Sequence, residues 1–365
     1  MTRYSFFFFL IFSTSLFAQD ELQPKDLNTA LPLAGEQKKL VLLQLESKDC
    51  SKCNEAVRKA FSNESLRAKI NQSFIMVLVP ATSKSWADYS ERFKSVNGGV
   101  TLFLDQAGTL VSRYNTTSSN ASTYGEQFRL ANARRGYGAT LRSLENNYRD
   151  GDRSARLMET LMIAKNRVGL ETDSLLDDYA KNLSPDSLRS KRVILFMARM
   201  SPPLGSASDK ALRKNADFFN QCWFSIPADQ RVAINNNIIR KTKQAAIARK
   251  DIDAAYLTAS FAKSTYFDIY NAQRIFDQTM IEYFREAGDT AKYIPMAVYY
   301  YDTYFMSVPV DSIQVIDTLR LRDFAIKDKT VGSSQTLTPP VLATELYANQ
   351  LKNAAWGFYT MTKDS

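Results

Sequence analysis

Short apolar runs divide the first third of the chain at regular intervals. The runs at 39–46 and 74–79 are almost continuously apolar, which is typical of strands buried on both faces. Two further runs, 100–104 and 109–111, flank the turn sequence 105–108 and predict a β-hairpin. The pattern therefore predicts a small sheet in this part of the chain.

Helical spacing fills the segments between these strands. The stretch 50–61 carries apolar residues one, three and four positions apart, and Asn63 is placed to cap a short helix over 65–70. A third helix is indicated by one apolar face made of Trp86, Tyr89 and Phe93. Strands that alternate with helices predict an α/β domain.

After residue 126 the strand signal nearly stops and helical periodicity dominates. Helices are predicted over 128–148, 155–168, 173–183, 188–200, 211–224, 231–249, 252–262, 272–287, 291–305 and 341–362. Residues 115–125 are rich in Ser, Thr and Asn and predict a loop or linker, and 19–38 predict a tether or a first short element. The mixed stretch 307–340 allows no assignment. The predicted domains are 19–125, α/β, and 126–365, all α-helical.

The helical region leaves two architectures open. The stretches 251–256 and 288–293 both begin near an acidic cap and reach a small residue followed, directly or one residue later, by Tyr. They lie about one helix-pair repeat apart, which suggests a solenoid of tetratricopeptide type. No full repeat motif is present, so a plain helical bundle remains the alternative.

Residues 1–18 have the pattern of a secretory signal peptide. Arg3 supplies a positive start, 6–12 form an apolar core, and small residues precede a cleavage point after Ala18. No later stretch is long and apolar enough to span a bilayer. The mature protein is therefore predicted to be exported, with the periplasm as first choice and a secreted or surface location as the alternative.

Composition removes several classes of function. The chain of 365 residues contains no histidine, which excludes Ser-His-Asp and Cys-His catalysis and every His-based zinc site. Three cysteines cannot complete a four-sulfur zinc site, so neither a metal nor another cofactor is predicted. The net charge of +9 is spread over helical patterns, which favours solvated helix faces over a nucleic-acid site.

The candidate chemistry lies in the stretch 48–53, which holds Cys50 and Cys53. This C-x-x-C follows a predicted strand and opens a predicted helix, where the macrodipole and free backbone N–H groups stabilise a thiolate. Lys52 adds a nearby positive charge, and Asp49 opposes it. Two interpretations of Cys50 and Cys53 stay open: a redox-active pair and a stable structural disulfide. Cys222, beside Trp223 in an apolar helix, is predicted to be a buried core cysteine.

The order strand, C-x-x-C, helix, strand, helix, hairpin resembles the thioredoxin-like family. The stretches 60–66, 70–75 and 99–108 are similar to the passages after the active-site helix and around the Pro-Thr strand of exported members. The likeness covers about a fifth of the chain. A domain of this kind before a long helical region is similar to exported thioredoxin-family proteins of Bacteroidetes-type bacteria.

The resemblance implies a role for each cysteine. Cys50 would be the nucleophile and Cys53 the resolving thiol of a thiol–disulfide oxidoreductase. Its partners would be protein disulfides or thiols and a redox partner protein, and the helical domain would select among envelope proteins.

Five positions depart from the family pattern. Asp49 replaces the usual Trp, and Ser51-Lys52 replaces Gly-Pro. Gln44 stands where a buried acid is expected, which leaves Glu46 as the alternative proton acceptor. Val100 occupies the cis-proline position and is expected to be trans, since a non-proline cis bond costs about 2.5–4 kcal/mol. These departures keep a second hypothesis open: a non-catalytic envelope interaction protein.

Overall fold

The computed structural model describes residues 26–95, 98–330 and 339–363, without the side chains of 327–330. The predicted signal peptide, 1–18, lies outside the described residues. The chain divides into two compact units, with the boundary between Thr172 and Asp173. The predicted domain boundary after residue 125 falls within a helix of the first unit, and the domain assignment stays a prediction. Among the described residues, no helix combines the length and apolar character needed to cross a bilayer.

The N-terminal unit alternates strands with helices before it becomes helical. In chain order it contains α1 (Leu27–Glu36), β1 (Leu40–Leu45), α2 (Ser51–Phe61), α3 (Glu64–Ser73), β2 (Phe74–Val79), α4 (Ser85–Arg92), β3 (Val100–Leu104), β4 (Leu110–Tyr114), α5 (Ala121–Ala133), α6 (Tyr137–Arg149) and α7 (Ala155–Arg167).

The four strands form one mixed sheet in the order β2-β1-β3-β4. β1 runs parallel to β2 and antiparallel to β3, and β3 is antiparallel to β4. All six residues of β1 are buried, as expected for a central strand covered on both faces. The predicted strands and hairpin are confirmed, and the bounds of β2 match the predicted range 74–79.

The faces of the sheet follow from the two-residue alternation of β1. Leu40 and Leu42 pack into a core with residues of α2, α3 and α5, including Phe61 and Phe128. The alternate residues of β1 point to the opposite side, where α1 and α4 contact the sheet. The C-x-x-C helix α2 therefore lies on one face and α4 on the other.

In the N-terminal unit, two helix assignments differ from the sequence prediction by more than a few residues. The predicted loop over 115–125 is wrong from residue 121 onward, because the side chain of Asn120 accepts a hydrogen bond from the Ser122 amide and caps α5. The predicted helix 128–148 is two helices, since the chain leaves helical geometry around Gly136. The start of α5 therefore had a local signal in Asn120, and α5 and α6 both contact β4.

The C-terminal unit is helical throughout its described residues. It contains α8 (Asp173–Asn182), a 3₁₀ turn (Ser187–Arg189), α9 (Lys191–Arg199), α10 (Ala207–Arg213), α11 (Ala216–Phe224), α12 (Ala228–Arg249), α13 (Ile252–Ser264), α14 (Ile269–Ala287), α15 (Thr290–Tyr301), a π-helical turn (Asp302–Met306), α16 (Val310–Thr330) and α17 (Ala343–Lys363). The unassigned stretch 307–340 holds all of α16.

Helices α12 to α15 pack on one another in succession. α12 and α14, the helices that precede the two copies of the suspected repeat, end in left-handed C-cap residues, Lys250 and Gly288. Asp251 then caps α13 and Asp289 caps α15, each through a side-chain hydrogen bond to a backbone amide. The repeated sequence thus corresponds to a repeated helix start, and the choice between bundle and solenoid stays a prediction.

Candidate functional site

Cys50 and Cys53 are joined by a disulfide at the start of α2. Cys50 is the N-cap residue, and the amide of Cys53 donates a hydrogen bond to its Sγ atom at 3.2 Å. Both cysteines are half-buried, whereas Asp49 and Lys52 are exposed. A sulfur that accepts the free amide of a first helical turn is placed where a thiolate would gain the same donor.

Asn54 fastens the loop before the disulfide to the first turn of α2. Its Oδ1 accepts from the Ser47 amide at 2.8 Å, and its Nδ2 donates to the Ser47 carbonyl at 2.9 Å. We call these two bonds the Asn54 bridge. Because residues 47 and 54 enclose Cys50 and Cys53, the bridge confines the same stretch of chain as the disulfide.

Glu46, at the end of β1, joins both layers of helices. Its buried carboxylate accepts from Arg58 of α2 at 2.6 Å and 3.2 Å. Its backbone carbonyl accepts from the indole N–H of Trp86 in α4 at 2.7 Å. The side chain that sequence reasoning offered as an alternative proton acceptor is therefore engaged in an ion pair.

Gln44 lies 1% exposed beneath the C-x-x-C helix, on the same face of β1 as Leu42. Its Oε1 accepts from the Thr101 hydroxyl at 2.6 Å, and its Nε2 donates to the Leu45 carbonyl at 3.3 Å. Burial raises the pKa of the Tyr124 phenol, which packs in the core on this face of the sheet. The predicted acid position thus holds a neutral amide whose oxygen and nitrogen each have a hydrogen-bond partner.

Val100 begins β3 opposite Leu45 and is buried. The described part of the chain contains no cis peptide bond. The preceding Gly98 has a positive φ of 67°, and a Cβ there would overlap the Glu46 carbonyl oxygen. Only glycine allows this loop to approach the end of β1 so closely.

Charges around the disulfide are exposed and of both signs. The Lys48 ammonium lies 4.0 Å from the ring centroid of Trp86, which is a cation–π distance. Within the described residues, neither Asp49 nor Lys52 forms an ion pair or a side-chain hydrogen bond. The structure therefore brings Gln44, Val100 and the two cysteines to one end of the sheet and leaves Asp49 and Lys52 to solvent.

The third cysteine takes no part in this site. Cys222 lies in α11 of the C-terminal unit, free and 2% exposed, which confirms the predicted core position. Burial raises the pKa of its thiol. In the part of the chain that the structure describes, no three His, Cys, Asp or Glu residues gather as a metal site would require.

Sequence reasoning missed the residues that hold the loop. Asn54 and Arg58 were not singled out, and Trp86 was assigned only to an apolar helix face, because the partner of each lies at least seven residues away in the sequence. One signal was available: Asn at the fourth helical position is a weak helix former, and its short amide competes for backbone groups.

Comparison with known proteins adds no relative. No family model, no curated protein and no solved structure matches this chain. The N-terminal unit is described by its own geometry: a small mixed sheet with a disulfide-bonded C-x-x-C pair at the start of the first helix after β1.

Proposed function

We propose that the protein is an exported thiol–disulfide oxidoreductase whose N-terminal unit is thioredoxin-like. The observation that carries the proposal is the half-buried Cys50–Cys53 disulfide at the start of α2, with the Cys53 amide donating to Cys50 Sγ. The element order around it, strand, C-x-x-C, helix, strand, helix and hairpin, supports the family. The apolar leader 1–18 supports export.

Cys50 is the nucleophile of this reaction. In the reduced protein, its thiolate attacks one sulfur of a substrate disulfide and releases the other as a thiolate. Cys53 then attacks Cys50 Sγ in the mixed disulfide, which frees the second substrate thiol and forms the Cys50–Cys53 bond. Two electrons pass to the substrate, and a redox partner protein with a dithiol restores the reduced form. The reverse sequence oxidises substrate thiols.

Turnover of a protein disulfide tests the proposal. The full chain is assayed for insulin reduction beside Cys50→Ser, Cys53→Ser and the control Cys222→Ala, with folding checked by circular dichroism. We expect activity that is lost in Cys50→Ser, that stops at a trapped mixed disulfide in Cys53→Ser, and that persists in Cys222→Ala. Wild-type turnover equal to that of Cys50→Ser would refute the proposal.

A redox titration of the same proteins gives the direction of the reaction. A potential of about −270 mV corresponds to a reductase and one of about −120 mV to an oxidant. The titration also limits which proteins can reduce the site, since an electron donor must have a lower reduction potential than the Cys50–Cys53 pair.

A non-catalytic envelope interaction protein is the second candidate, and two observations favour it. Gln44 is neutral and bound to Thr101, and the Glu46 carboxylate is paired with Arg58, so both positions considered as an acid for Cys53 are engaged. The start of α14 also exposes Phe267 fully and Ile269 by 84%. Tyr266 and Tyr270 beside them are also about half exposed, and a contiguous exposed apolar patch is a feature of interaction sites. A folded protein with an inert disulfide would support this candidate.

A further inference from the structure

The edge of the sheet at β2 has no further strand and no side chain of the kinds that block strand pairing. β2 is the first strand in the order β2-β1-β3-β4, so its outer N–H and C=O groups have no strand partner among the described residues. Its sequence, Phe74–Val79, contains neither charge nor proline. Proteins usually blunt such an edge with charges, proline, a bulge or a covering segment, because a bare apolar edge recruits other chains. This edge retains its capacity to pair.

A groove lies beside the edge, between α2, α3 and β2. Its volume is about 270 Å³. That is below the ~300–1,000 Å³ of most small-molecule sites and suits individual side chains. The residues that line it are Val57, Arg58, Phe61, Ser62, Arg67, Ile70, Asn71, Met76 and Leu78. The floor is apolar, and Leu78 at the β2 side is 38% exposed.

The charge of the groove is positive. Arg58 and Arg67 are its charged lining residues, and no carboxylate lines it. Arg58 already pairs with Glu46. Arg67 is exposed on α3, and within the described residues no ion pair involves it. An occupant with a carboxylate near Arg67 would therefore gain a charge-assisted hydrogen bond.

We propose that this edge and groove bind an extended segment of a partner protein that presents apolar and acidic side chains in turn along one face, at every second residue. Its backbone adds to β2 as a further strand, one apolar side chain enters the groove, and an acidic side chain two residues away reaches Arg67. Side chains two residues apart share one face of a strand, which lets both contacts form at once. The inference goes beyond the proposed function and does not need the dithiol.

Charge argues against a second copy of this chain as the occupant. Pairing β2 with β2 would bring the arginines of both copies to one seam, and β2 itself supplies no acid. Like charges at such a seam are unfavourable.

The test uses the full chain and fluorescein-labelled octapeptides in which every second residue is Thr and the remaining positions are alternately Val and Glu, or alternately Val and Lys, so that both types share one face of the strand. Anisotropy gives Kd at low salt for the wild type, for Arg67→Glu and for the matched control Lys69→Glu, which changes the same charge on α3 outside the groove. We expect the wild type to prefer the Glu peptide, Arg67→Glu to weaken it by about tenfold and favour the Lys peptide, and Lys69→Glu to retain the preference.

Three results would overturn the proposal. The first is equal affinity of the two peptides for the wild type. For the second, two N-methylated peptides are made, one methylated at the amides of one edge and the other at the amides of the opposite edge. Binding that persists in both would overturn the proposal, because strand addition needs the free amides of one edge. The third is a dimer in sedimentation that Leu78→Asp dissociates, which would assign the edge to a second copy. The Cys50→Ser protein should bind as the wild type does, so the result is independent of the redox assay.

Discussion

Replacing Asn54 by Ala tests how the loop around the disulfide is held. The substitution removes both bonds of the Asn54 bridge, at 2.8 and 2.9 Å, and changes no residue of the C-x-x-C itself. A typical intramolecular hydrogen bond contributes a net ~1 kcal/mol, so the two together stabilise the closed loop by about 2 kcal/mol. At about 1.4 kcal/mol for each factor of ten, that loss raises the opening equilibrium by roughly 30-fold.

Hydrogen exchange of the Ser47 amide reports this opening directly, because that amide donates to Asn54 Oδ1. We expect its protection factor in the oxidised full chain to fall by up to about 30-fold in Asn54→Ala. Glu55→Ala, an exposed neighbour on α2, is the control and should leave it unchanged. Protection at Ser47 that stays within about twofold of the wild type would refute the reasoning, since it would mean that the bridge contributes nothing to loop closure.

The same variant should behave differently in its two redox states. The Cys50–Cys53 disulfide and the Asn54 bridge confine overlapping stretches, 50–53 and 47–54. Interactions that brace one segment are coupled, so losing the bridge should open the loop further in the reduced protein than in the oxidised one. Equal changes in both states would show that bridge and disulfide act independently.

Two further predictions concern the sheet and the tyrosines. Gly98→Ala should lower the free energy of unfolding of the N-terminal unit by ~2 kcal/mol or more, because φ is 67° and the new Cβ would overlap the Glu46 carbonyl. Urea-dependent hydrogen exchange of β1 and β3 measures this change. The control is Gly136→Ala, where the added Cβ meets nothing and stability should not change. Burial raises the pKa of Tyr300 to about 12, above the usual value near 10. The folded state therefore holds this proton more tightly, and the stability that the neutral phenol contributes is complete below pH 10 and lost as the pH rises toward 12. Denaturant midpoints of the wild type should fall over that range more than those of Tyr300→Phe, and identical slopes would contradict the assignment.

The strands and the position of the C-x-x-C could be predicted because their signals are local. The run 74–79 contains six apolar residues in succession and ends at a proline, which determined β2 without reference to the rest of the chain. The start of α2 was likewise indicated by the spacing of apolar residues after Cys53. Asn63 caps α3 through the Leu66 amide, as its position before that helix indicated.

The surroundings of the disulfide could not be predicted, since they depend on contacts between distant residues. Trp86 donates to a carbonyl 40 residues earlier in the chain, and Thr101 donates to a side chain 57 residues earlier. The sequence showed that Gln44 is no acid, but not that Thr101 satisfies it. α16 escaped assignment for a different reason: its apolar residues lie on several sides of the helix, so no single periodic face marks it.

The position of Glu46 has a mechanical consequence for the unit. One residue receives Arg58 from the layer that carries the disulfide and Trp86 from the opposite layer. A displacement of α4 would therefore reach α2 through the backbone and side chain of this one residue. The end of β1 acts as a rigid joint, and opening the S–S bond removes none of the hydrogen bonds that form it.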